Sequence, residues 1–301
     1  MARLHGRGAS FGPTGLPRAH PELRKGDGLK DLKLRLLTAA LAIPTVLAIF
    51  WVADRFSQDW LVALLLSVVG VGAGWEYIGL VARLGVALPK EAFLFAIPAF
   101  LFLLLPKEGE FAFILAFAFA YFLVIYSFSR RGTQEGFLAS VAGIFGLLYI
   151  PAMLGFLLLF HRKGGFWHVL HFLLIVWGYD TGAYFVGSLL GRHRLLPRVS
   201  LAKTWEGVAG GLFLAGVAGF LLPLFLADLG RHWPAALIMG FGVGAFVQLG
   251  DLFESLVKRA AGVKDTGRFF PGHGGVLDRI DGILASAPIY YFLAHYILGL
   301  F

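Results

Sequence analysis

The chain contains no cysteine, and only 15% of its 301 residues are charged. The missing thiols exclude disulfides and thiolate metal sites, and leave the compartment unread from redox chemistry. So little charge beside a hydrophobic share of 58% excludes an ordinary soluble surface. Strand-like alternation is absent too: no segment keeps a period of two, so an all-α chain is expected. Nor is a cleavable secretory leader expected. Residues 1–33 are polar, basic and rich in Gly and Pro, without an apolar core, and are expected to form a disordered cytoplasmic tail.

What fills the chain instead is apolar runs. A helix needs about 20 apolar residues to cross the hydrocarbon. Nine runs fit: 34–53, 60–82, 91–105, 111–128, 137–160, 168–190, 205–227, 233–250 and 283–301. The expectation is a polytopic integral membrane protein with about nine transmembrane helices. Its 30 Phe, against 9 Tyr and 7 Trp, suit lipid-facing and helix-packing surfaces.

The formal charge of +8 resembles a nucleic-acid signal, but its distribution argues otherwise. With the N-terminus inside and nine spans following, the inside segments hold most of the 26 Lys and Arg. Only Arg55, Lys107, Arg162, Lys163 and Arg231 fall outside. Basicity of that kind sets topology. The partner it implies is the bilayer, with no nucleic acid, and it puts loops 191–204 and 251–282 in the cytoplasm.

Composition shifts between residues 160 and 170, from simple loops to buried charges and glycine pairs. An N-terminal helical scaffold (34–165) is therefore expected to precede a catalytic half (166–301). Within that half, Asp180 lies mid-run; it serves either a site or an interhelical hydrogen bond. Gly178, Gly182, Gly187 and Gly191 permit close helix approach. Glu76 is a second intramembrane acid, and without basic neighbours it reads as packing. Before the seventh run, Ser200, Lys203 and Thr204 make either an anion site at a helix N-terminus or a cap with a snorkelling lysine.

Charge of both signs gathers between Ser255 and Asp281. Asp251, Ser255 and Lys258 share a helical face by their spacing, as do Asp278 and Asp281. Converging helix ends could present Asp251, Asp278 and Asp281 to Mg²⁺, which prefers carboxylates plus substrate phosphates. Lys258, Arg259, Lys264, Arg268 and Arg279 suit phosphates. His273 stands among Gly272, Gly274 and Gly275, which allow a tight turn; it is a phosphate ligand, a general base or a hydrogen-bonding residue of the turn.

These residues resemble the signature of the phosphatidate cytidylyltransferases, or CDP-diacylglycerol synthases. Ser255, Lys258-Arg259, Lys264-Asp265, Gly267, Pro271, His273-Gly274-Gly275, Asp278-Arg279 and Asp281 follow that pattern without departure. Segments beginning at Asp180 and Ser200, and Gln248 to Asp251, are similar in the same order. The resemblance implies a Mg²⁺-dependent, homodimeric, all-helical enzyme of a bacterial inner membrane, multi-pass, with its active site facing the cytoplasm. Its substrates would be CTP and phosphatidic acid, its products CDP-diacylglycerol and pyrophosphate. By position Asp251 and Asp278 match the family's metal-binding aspartates, with Asp281 an addition. Lys258, Arg259, Lys264 and Arg268 would surround the triphosphate. Ser200, Lys203 and Thr204 would hold the lipid phosphate, with Ser255, Arg279 and Asp180 lining the substrates. The chief rival is a CTP-dependent polyprenol or phytol kinase. A CDP-alcohol phosphotransferase lacks its longer aspartate pattern here, and an ion transporter leaves the cation cluster unexplained.

Overall fold

The structure, a computed structural model, describes residues 25–106, 110–130, 132–225, 233–267, 269 and 274–300. Arg268, His273 and most of the tail lie outside the described residues. Helices account for nearly all the rest, as expected of apolar runs whose backbone groups must bond within their own segment. In chain order they are α1 (Lys25–Phe56), α2 (Asp59–Arg83), α3 (Lys90–Leu103), α4 (Glu110–Arg130), α5 (Thr133–Leu147), α6 (Met153–Leu190), α7 (Trp205–Phe225), α8 (Trp233–Ala260) and α9 (Leu277–Phe292). The first begins at Lys25, inside the segment read as tail.

Two details reshape the fifth and sixth runs. A π-helical turn, Leu148–Ala152, joins α5 to α6 around Pro151, which has no N–H to give the regular ladder. Gly165, at φ 73°, then breaks α6 in two, so the fifth run spans α5, the turn and the first half of α6, and the sixth lies in its second half. Among the described residues, three helical stretches are long and apolar enough to cross a membrane by themselves: Asp59–Arg83, Thr133–Leu190 and Pro234–Ala260.

One local feature departs from a purely helical reading. Strands β1 (Arg194–Leu196) and β2 (Ser200–Thr204) form an antiparallel hairpin ahead of α7, pairing Arg194 with Thr204 and Leu196 with Ser200. Strands of three and five residues are too short for a period-two count to register.

The second half packs through small residues. Gly182 lies directly against Gly210 and Gly211, and Gly219 against Gly240, so α6, α7 and α8 approach closely. His171 seals this core: its Nε2 donates to Gly219 O at 3.0 Å, leaving Nδ1 to accept from the Tyr290 hydroxyl at 3.2 Å. This rigid pack holds the C-terminal end of α8 and the N-termini of α7 and α9 at one end of the bundle.

Candidate active site

Helix α8 is apolar until its last turns, where Asp251, Glu254, Ser255 and Lys258 share one face at helical spacing. Glu254 is buried, 3% exposed, and such an acid needs a cation. Lys258 supplies it: its ammonium lies 2.7 Å from Glu254 Oε2 and 2.7 Å from Asp278 Oδ1. One lysine thus ties α8 to the start of α9.

The loop between these helices is wound around Asp278. Its Oδ2 accepts from Gly275 N at 2.7 Å and from Thr266 N and Oγ1 at 3.0 Å each. Burial alone would raise this carboxyl, but its contact with Glu254 and the hydrogen bonds from Lys258 and Gly275 hold it down at about 2. Asp278 is therefore an anion at neutral pH.

A second carboxylate holds the loop from the far side. Glu76, on α2, accepts from Val276 N at 3.0 Å and from Leu277 N and Thr266 Oγ1 at 2.9 Å. It satisfies backbone donors that α9 leaves free at its N-terminus. The Thr266 hydroxyl has one hydrogen and serves Glu76 or Asp278, one at a time. The motif glycines make room for this grip. A Cβ on Gly267 would meet the Glu76 carboxylate, and one on Gly275 would meet both Glu76 and Thr266. Gly274 takes φ +84°, which side chains rarely adopt.

One turn along α9, Asp281 Oδ1 accepts from Gly282 N at 2.8 Å. Asp251 Oδ1 lies 3.8 Å from where a Cβ on Gly282 would sit, so both aspartates flank that glycine. Burial, with Asp251 and Glu254 adding like charge, pushes the Asp281 carboxyl well above the usual range. Lys203 Nζ stands 2.8 Å from Asp251 Oδ2, an ion pair by distance without hydrogen-bond alignment. Asp180 is within electrostatic reach of Asp251, Lys203 and Arg279. Carboxylates outnumber cations here.

The remaining predicted residues divide. Thr204 Oγ1 accepts from Gly207 N at 3.1 Å and caps α7, the plainer of its two readings. Arg259 donates to Val199 O at 3.1 Å, fastening the hairpin to the end of α8. Lys264 and Arg279 are exposed, while Ser200 and Ser255 are half-buried. Among the described residues, no three acidic or histidine side chains already form a metal cage. Three participants were not singled out as site residues: Glu254, Thr266 and Glu76. The spacing of Glu254 from Asp251 and Lys258 was a usable signal. For Glu76 there was none, because its partners lie some 200 residues away.

Comparisons with known proteins identify the family. The profile of the Cytidylyltransferase family matches residues 33–297. The phosphatidate cytidylyltransferase of Thermotoga maritima is 34% identical over 267 residues, spanning 87% of this chain and 96% of that protein. Those of Haemophilus influenzae and Bacillus subtilis are 41% and 43% identical over 137 and 129 residues, 44% and 43% of this chain; each match spans 48% of the relative's length. With nearly its whole length matched, and with the signature from Ser255 to Asp281 enclosing the buried charges, the chain belongs to the cytidylyltransferase family.

Proposed function

We propose that the chain transfers a cytidylyl group from CTP to phosphatidic acid, forming CDP-diacylglycerol and releasing pyrophosphate. The observation that carries this is the meeting of the Lys203 hairpin with the end of α8: Lys203 pairs with Asp251, and Arg259 of the signature donates to Val199 O. The Thermotoga maritima relative, matched over 96% of its length, carries the same activity in its name. In the reaction, an oxygen of the lipid phosphate attacks the α-phosphorus of CTP. The α–β bridging P–O bond breaks, and its electron pair leaves with pyrophosphate. That phosphate is already anionic, so the obstacle is bringing two polyanions together.

The residues present fit Mg²⁺. They supply hard carboxylate oxygens in excess of cations, and Glu254 Oε1 is buried without a donor. Asp251, Asp278 and Asp281 would hold it, with no complete cage until substrate phosphates join. When bound, Mg²⁺ would supply charge neutralisation for the triphosphate and the departing pyrophosphate. The chain's own cations do the rest. Lys258, shared between Glu254 and Asp278, can turn toward phosphate without leaving Asp278 exposed, since three other donors hold that carboxylate. Lys203 can release Asp251 to meet the lipid phosphate, with Ser200 beside it. Arg259 and Lys264 surround the nucleotide. By their places in the signature, Arg268 adds a phosphate cation and His273 a phosphate ligand or base.

The fold suits this work as nine membrane-crossing segments, with α5 and the first half of α6 making one and the second half of α6 another. The acyl chains stay in the bilayer, and the site faces the cytoplasm of a bacterial inner membrane. The working unit is a homodimer. Incubating the purified protein with phosphatidic acid and CTP labelled at the α-phosphorus should yield labelled lipid and free pyrophosphate. CDP with no labelled lipid would indicate the kinase instead. Asp251→Asn and Asp278→Asn should each lower turnover by roughly three orders of magnitude, the loss of several kcal/mol of transition-state charge stabilisation. Near-normal Mg²⁺-dependent turnover in either variant removes that residue from the metal set.

A further inference from the structure

Among the described residues, two buried oxygens beside the site lack a hydrogen-bond partner, and Asp281 lies near both. One is the hydroxyl of Tyr149; the other is Oε1 of Glu254. Tyr149 belongs to the π-helical turn Leu148–Ala152, an irregularity often found at functional positions. Its ring stacks on Phe145 at 5.5 Å and meets Phe253 edge-on at 5.3 Å. Phe253 stands on α8 between Asp251 and Glu254. These contacts fix the ring, and the enclosed hydroxyl comes within electrostatic reach of Asp281, Glu254 and Asp251. Glu254, for its part, stands against both Asp278 and Asp281, and only its Oε2 reaches Lys258.

A phenol buried without a partner is unfavourable, and phenylalanine would fill the same space without that cost. A buried carboxyl oxygen with no partner among the described residues is likewise unfavourable. Both atoms can act as acceptors. A water ligated to a divalent cation has two acidic hydrogens to give, and Mg²⁺ keeps several such waters. We propose that Tyr149 and Glu254 are positioning residues of the cation site: one bound water donates to Tyr149 Oη and Glu254 Oε1 while Asp251, Asp278 and Asp281 hold the ion. This rests on the reading of those aspartates as metal ligands. The role is indirect, since neither residue touches the ion, and groups of this kind fix a metal's place and affinity.

The test uses Mn²⁺ alone as probe, titrated into the purified full-length protein and followed by the electron paramagnetic resonance of the free ion. Tyr149→Phe and Glu254→Gln should each weaken binding by about tenfold or more, while Asp251→Asn should abolish it. Thermal unfolding without metal supplies the control. Tyr149→Phe should unfold no earlier than the parent, because its hydroxyl has no protein hydrogen bond to lose. Unchanged Mn²⁺ affinity in Tyr149→Phe, with the parent binding normally, overturns the proposal and leaves the metal reading standing. Weakened affinity accompanied by earlier metal-free unfolding overturns it in favour of a structural role. No binding by the parent removes the metal reading, and this inference with it.

Discussion

Replacing Glu76 with Ala removes the acceptor for three donors that converge from the far end of the chain. Val276 N and Leu277 N are buried where α9 begins, and no other acceptor faces them among the described residues. Thr266 Oγ1 is less affected, because it can turn wholly to Asp278, 3.0 Å away. Leaving a buried donor unsatisfied costs about 1–3 kcal/mol. Two such donors give a loss of about 3 kcal/mol, a large part of a total stability of about 5–15 kcal/mol. Glu76→Gln keeps one carbonyl oxygen for the N–H groups and forfeits the charge at the helix N-terminus, about 1 kcal/mol. Thermal unfolding in detergent, paired with pyrophosphate release, reads both consequences. The order expected in each assay is parent, then Gln, then Ala. An Ala variant with the parent's unfolding temperature and turnover would show that the α2 carboxylate does not hold the signature loop.

Gly275→Ala pushes a methyl group into Thr266 and the Glu76 carboxylate; a loss of about 1–3 kcal/mol and reduced turnover are expected, and a silent variant would contradict the packing. Lys203→Met strips Asp251 of its ion-pair partner and the hairpin of its cation. A charged hydrogen bond lost from the lipid phosphate, about 1.5–3 kcal/mol, predicts roughly a ten- to hundredfold fall in kcat/KM for phosphatidic acid, and an unaltered value would remove Lys203 from lipid binding. Thr204→Val separates cap from anion ligand: loss of the cap lowers stability by about 1 kcal/mol and leaves KM for both substrates intact, whereas a raised KM would restore the hydroxyl to the substrate site.

Period and length of the apolar runs were enough to read an all-helical chain, because each helix bonds only to itself and its signal is local; they did not show that α1 begins at Lys25 or that a π-helical turn and Gly165 divide the fifth and sixth runs. The spacing from Ser255 to Asp281 was enough to identify the family and the charged loop, since both lie in one continuous stretch. Local spacing also put Asp251 and Lys258 on one face; it could have added Glu254, at i+3 from one and i−4 from the other.

What no local pattern carried is which distant groups meet. The Lys203–Asp251 pair, the Arg259 link to the hairpin and the Glu76 grip on α9 each join separate segments. Such contacts depend on how closely Gly182, Gly210 and Gly240 let the helices approach, and on a π-helical turn that sets the direction of Tyr149. Sequence by itself decided the kind of protein and the location of its charge. Only the packed helices decided which carboxylate faces which cation, because burial leaves a charged group no water and makes its few neighbours the whole of its environment.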